Sequence, residues 1–138
     1  MPVEFKFLNH GMGILLEGKG SLTGQELIAA LTEIYRSEEN YKKVKYSITD
    51  FTHVESLDIS IAEIEVMAQM HRIVAKTTPY RVVVMAVSKD LAFGLSRVWQ
   101  ANVDEIKWDT TIVRSRSEAE SLDKEKVKNK FDIDITME

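Results

Sequence analysis

The chain is predicted to fold as an α/β protein around a mixed, mostly parallel sheet of about five strands, in the order ββαβαβαβα. Three observations predict this. Short apolar or alternating runs repeat along its 138 residues, separated by segments of helical period. Three Ser/Thr-x-x-Glu segments stand ahead of helical stripes, at Thr23, Ser60 and Ser117. One run, Tyr80 to Val87, is almost wholly apolar and rich in β-branched residues, as a strand covered on both faces requires.

Val3-Glu4-Phe5-Lys6-Phe7-Leu8 alternates as a half-buried strand does. Asn9-His10-Gly11 is a turn signal, and Met12 to Gly18 reads as the returning strand of a hairpin. Gly18-Lys19-Gly20 then breaks the pattern. Thr23 and Glu26 form a capping box, and Leu27, Ile28, Leu31, Ile34 and Tyr35 make the stripe of a helix ending near Ser37. Glu38-Glu39-Asn40 reads as a polar linker.

Val44 to Phe51 reads as the third strand, with Tyr46 and Ile48 on one face and Asp50 closing it. A loop over Thr52 to Leu57 is expected next. Ser60 and Glu63 form the second capping box, and Ile61, Ile64, Met67, Ala68, His71, Val74 and Ala75 carry the stripe until Pro79 stops it. After the central strand, Ser88 is the expected cap of a helix with Leu91, Leu95, Val98 and Trp99 inward. Lys107 to Arg114 is the last strand of the sheet. Ser117-Glu118-Ala119-Glu120 opens a final helix through Leu122 and Val127. Residues 123–138 are a C-terminal extension whose structure the pattern leaves open. Within it, Phe131-Asp132-Ile133-Asp134-Ile135 alternates as an edge strand, or as a strand added to a partner.

The length is typical of one domain, so residues 1–138 are expected to form a single unit with one substantial core. With no cysteine, disulfides and thiolate ligands are excluded. The N-terminus lacks the basic start and apolar run of a signal peptide, and no apolar stretch has the length of a membrane span. A cytoplasmic location is the expectation. The net charge of −4 argues against a nucleic-acid partner. The lysines at 124, 126, 128 and 130 alternate with acidic residues, and so read as a solvated helix face.

The element order resembles that of STAS domains, the fold of bacterial anti-sigma-factor antagonists. It resembles still more the STAS-like bacterial proteins related to CRAL-TRIO lipid-exchange domains. Lys45-Tyr46-Ser47-Ile48-Thr49-Asp50, the strand Arg81 to Val87 and Phe93-Gly94-Leu95-Ser96-Arg97 carry the resemblance, which covers about residues 3 to 122. The antagonists carry a phosphorylatable Ser just after an Asp at the start of the second helix, followed by a Gly-containing segment. Placing Asp50 on the family's strand-end Asp puts Asp58 on that second Asp and Ile59 on the phosphoacceptor position. Ser60 falls one residue late, and the following Gly is absent. The resemblance implies an interaction or regulatory module that docks partners through this loop and the second helix.

No phosphate loop, nucleophile elbow or paired-histidine motif is present, so no catalytic, metal or cofactor site is expected. His71 reads as a core histidine on its apolar stripe, and His10 as a turn residue. His53 follows Asp50 at the end of a strand, where open α/β sheets place ligands. Asp50, His53, Glu55, Asp58 and Ser60 are therefore the candidate partner or ligand loop. For Asp58 and Ser60 the competing role is to cap the next helix. Met67, Met85 and Trp99 are adaptable apolar residues that either fill the core or line a pocket for a hydrophobic ligand. Two functions follow. One is a non-enzymatic STAS-like interaction module with an unidentified protein partner, which would include a homodimer. The alternative is a carrier of a small hydrophobic ligand or lipid.

Overall fold

A computed structural model describes residues 2–136. Its five strands lie side by side in chain order, β1-β2-β3-β4-β5. β1 (Val3–Leu8) pairs antiparallel with β2 (Gly13–Thr23), and every other pairing is parallel. The tight turn between them, Asn9–Gly11, holds Asn9, His10 and Gly11 at positive φ. Gly13 is required for a different reason. A Cβ there would fall 2.1 Å from the Tyr46 ring, so the ring packs directly on backbone.

The expected break at Gly18-Lys19-Gly20 is instead a bulged stretch of strand. β2 continues to Thr23, shifting register at Glu17/Lys19 and at Gly20/Ser21, with Gly20 at φ +68. Glycines inside a strand commonly mark such bulges. The longer β2 draws out its neighbour. β3 runs Tyr46–Asp58, so the segment expected to be a loop, Thr52 to Leu57, is ladder. Val54 lies opposite Gly20 and Leu57 opposite Leu22.

α1 (Gly24–Ile34) and α3 (Ile61–Ala75) start at Thr23 and Ser60, and in each capping box both reciprocal bonds are made. α1 stops at Ile34, short of Ser37, and the polar linker contains one helical turn, α2 (Glu38–Tyr41). Ile61 is exposed rather than inward. β4 (Val82–Val87) is buried at all six residues.

α4 (Asp90–Asn102) is capped at Lys89 with no side-chain bond, because Ser88 Oγ donates to the Thr52 carbonyl instead. Its inner residues are Ala92, Ser96 and Trp99, while Leu91 is 62% exposed. The inward stripe is thus turned from the one the large side chains predict, and two small residues face the protein interior. β5 (Asp109–Val113) is the half-exposed edge. α5 (Arg116–Phe131) is capped by Ser115, whose hydroxyl accepts from Glu118 N–H, two residues before the expected cap.

A crossover of fixed hand between neighbouring parallel strands, repeated in one direction, puts each connecting helix on the same face. α1, α3 and α4 accordingly share one core with Val83, Met85 and Val87 of β4. The alternate residues, Val82, Val84 and Ala86, face a second core closed by Ala119 and Val127 of α5. The alternating tail is not an edge strand. Residues 132–136 have no regular structure, and Ile135 is buried against this second core with Phe131 and Ile133 beside it. An extended segment that alternates presents one apolar side whether or not it pairs. Here that side covers the chain's own sheet.

Asp123 lies between Ala119 and Val127 on the inner face of α5. It is fully buried, and neither carboxylate oxygen has a hydrogen-bond partner among the described residues. Burial pushes its pKa up to about 8, so the group is held neutral near physiological pH. The raised folded value means that folding binds a proton between about pH 4 and 8. Stability from this residue is complete below pH ~4 and is lost as pH rises towards 8. Asp123→Asn keeps the shape and removes the titration. Its melting temperature should gain on the wild type steadily from pH 4 to 8, by at most about 1.4 kcal/mol of stability per pH unit. A constant difference across that range would show that Asp123 does not titrate there.

Candidate functional site

Asp50 does not sit in an open loop. It is buried on the α5 side of β3, where it accepts from Thr52 N–H (2.9 Å), Thr52 Oγ1 (2.6 Å) and Arg116 Nη1 (3.0 Å). Burial alone would raise its pKa, but the two Thr52 bonds and the Arg116 guanidinium outweigh it and hold the carboxyl below its ordinary value. Arg116 also bonds Glu17 (3.1 Å) and Glu120 (2.9 Å), so one cation at the start of α5 ties together β2, β3 and its own helix.

His53 is exposed, with Nδ1 3.1 Å from Thr52 Oγ1. It lines a polar cleft of about 250 Å³ together with Asp50, Glu4, Glu17 and Lys19. Glu55 and Asp58 lie farther along β3, exposed, and line neither that cleft nor the cavity described next. Ser60 caps α3, accepting from Glu63 N–H at 3.1 Å. The five residues chosen from sequence are therefore spread along one strand and one helix start, and only Asp50 and His53 share a concavity.

Met67, Met85 and Trp99 converge. They line one cavity of about 100 Å³ between the sheet and the layer of α1, α3 and α4. Four further lining residues were not singled out by sequence reasoning for this role: Tyr35, His71, Arg81 and Trp108. His71 stands edge-to-face with Tyr35, Trp99 and Trp108, at ring-centre distances of 5.6, 5.3 and 5.5 Å. Trp99 Nε1 donates to His71 Nδ1 at 3.1 Å, which leaves the ring proton on Nε2. Burial, and then the nearby Arg81 charge, lower the His71 pKa to about 3, so the imidazole is neutral.

Arg81, at the head of β4, is 1% exposed. Its guanidinium carbon lies 4.3 Å from the centre of the Trp108 ring and 5.7 Å from that of Tyr35. The sequence did hold a signal here, since a lone arginine opens an otherwise apolar strand. The cavity is thus an apolar space with one fixed positive charge and a neutral histidine in its wall. It suits a small, mainly apolar molecule.

Among the described residues no cluster of three His, Asp or Glu is placed to hold a metal ion, and no helix is long and apolar enough to cross a membrane. The fold is a mixed α/β sheet of five strands with a single antiparallel pair. A solved structure with which it aligns is an uncharacterised protein of the DUF3478 family with a SpoIIAA-like fold, from Shewanella loihica PV-4. The identity is 14%, the TM-score is 0.44, and 88% of this chain and 91% of that one are covered. No family model and no curated protein matches the chain.

Replacing Arg116 by Gln leaves the buried Asp50 carboxylate without its cation. The loss at pH 7 should be about 1–3 kcal/mol in urea unfolding, below the full cost of breaking a buried pair because Arg116 is partly solvated. Asp50's lowered pKa means that its contribution is present above pH ~4 and fades as pH falls below that. The difference between variant and wild type should therefore close in acid. A gap that persists at pH 2 would assign the effect to packing.

Proposed function

We propose that the protein is a non-enzymatic binding module that holds a small, largely apolar ligand between its sheet and its three-helix layer. The observation that carries this reading is the cavity lined by Met67, Met85 and Trp99, with His71 and Arg81 in the same wall. The volume, about 100 Å³, is well below the roughly 300–1,000 Å³ of pockets for drug-sized ligands, so the occupant is a small molecule rather than a long-chain lipid.

A regulatory interaction reading is favoured by the outer side of the same helix. α3 turns Ile64, Met67 and His71 towards the cavity and leaves Val66 and Ile73 about half exposed on its far side, seven residues apart. Two turns separate them, so they share one stripe. A ligand that shifts α3 would shift this stripe with it, and a second copy of the chain is the simplest partner for an apolar stripe of this kind. Val66→Glu with Ile73→Glu would then convert a dimer into a monomer in sedimentation equilibrium. A wild type that is monomeric at 100 µM would remove the dimer reading and leave the ligand reading untouched.

Both tryptophans of the chain, Trp99 and Trp108, line the cavity, so their fluorescence reports on its contents. Titration with 1-butanol in the low millimolar range should change the emission saturably. Ser96 lines the same space, and Ser96→Leu should fill it and abolish the response. An unsaturating, linear response in the wild type equal to that of free tryptophan would refute the ligand reading.

A further inference from the structure

Arg81 stands out among the buried groups because no carboxylate among the described residues pairs with it. An arginine side chain does not give up its proton in a protein. Yet none of the ion pairs among the described residues involves Arg81. Its hydrogen bonds go to two neutral hydroxyls. Nη1 donates to Tyr35 Oη at 2.9 Å, and Nη2 to Thr78 Oγ1 at a long 3.4 Å. Nε has no partner among the described residues. The Trp108 and Tyr35 ring faces offset part of the desolvation, but an aromatic face replaces neither the lost hydration of a full charge nor the missing hydrogen-bond acceptor.

Arg116 supplies the contrast within the same chain. It is more exposed than Arg81 and nevertheless holds three carboxylates. Nor does the other unpartnered buried group serve. Asp123 belongs to the core on the α5 side of the sheet, whereas Arg81 lines the cavity on the opposite side. His71, the titratable neighbour within the cavity wall, is neutral and brings no negative charge.

From this arrangement we infer that the ligand is a short-chain monocarboxylate, its carboxylate bound by Arg81 and its apolar tail lying along Met67 and Met85. The inference rests on the ligand-binding reading above and names the class of molecule that fills the cavity. Nε and Nη2 form one edge of the guanidinium, with two parallel N–H bonds in the spacing that a carboxylate accepts side-on. That edge is the one the protein leaves unsatisfied at Nε and only weakly satisfied at Nη2. Nη1 can keep its bond to Tyr35. One negative charge neutralises Arg81, whereas a dianionic head such as phosphate would leave a buried excess. Arg81 and Met85 line the same cavity from one strand face, so a charged head and a short apolar tail meet both within it.

The test compares butyrate with 1-butanol, a charged and a neutral probe of nearly the same size, by tryptophan fluorescence at pH 7 and fixed ionic strength. Butyrate should bind about 10- to 100-fold more tightly, the range of a hydrogen-bonded charge pair. In Arg81→Gln that preference should vanish while 1-butanol still binds. Equal affinities for the two probes in the wild type would overturn the carboxylate inference and leave the ligand reading standing, and this comparison decides the matter even if the variant does not fold. Preference for butyrate retained in a folded Arg81→Gln would overturn the role of Arg81. Binding of neither probe would remove both the inference and the reading beneath it.

Discussion

The structure depends on one topological constraint, that its strands are laid down in chain order and every crossover helix falls on the same face. β4 is buried on both sides, so a sheet covered on one side only would leave Val82, Val84 and Ala86 in water. No helix between strands is available to cover them, because α1, α3 and α4 are committed to the other core. The covering has to come from beyond the last strand. α5 and the segment through Ile135 do that, which makes the C-terminal part of the chain a structural layer rather than an appendage.

The same constraint sorts the interior polar groups. On the α5 side, the sequence places a carboxylate in the middle of the covering helix and a cation at its start. Arg116 reaches Asp50 and Glu17 and so locks the helix onto the sheet by charge, while Asp123 stays neutral under Val127. On the crossover side the balance is reversed. There a permanent cation, Arg81, is set against a tryptophan and a tyrosine near a neutral histidine, with no carboxylate among its partners in the described residues. Two arginines in one small protein, treated so differently, imply different tasks. One is compensated and holds layers together. The other lines the cavity between sheet and helices, and its Nε has no hydrogen-bond partner among the described residues.

α3 connects this interior to the surface. One side of it helps to wall the cavity, the opposite side carries Val66 and Ile73, and its start is fixed by the Ser60–Glu63 capping box. The three-helix layer is also where small residues are concentrated, with Ala68, Ala92 and Ser96 all buried. Small side chains at such positions let helices approach closely, but they also determine where space remains between layers. In this protein the remaining space runs past Trp99 and Trp108.

The amino-acid sequence by itself determined the strand-helix order, the capping boxes at Thr23 and Ser60, the twice-buried strand at Val82–Val87 and the soft apolar set of Met67, Met85 and Trp99. These are local matters, since capping chemistry and hydrophobic period act within a few residues of chain. Tertiary structure alone decided the rest. Thr52 to Leu57 became strand because a bulged β2 offered it hydrogen-bond partners some 35 residues away in sequence. Asp50 left the surface because Arg116 reached it across 66 residues. The tail folded back because the far side of the sheet needed cover, and Arg81 was shut in with no counter-ion among the described residues because the rings near it come from the residue after α1, from α3 and from the segment before β5. Burial and charge compensation are properties of neighbours in space, and periodicity along a chain does not say which neighbours those will be.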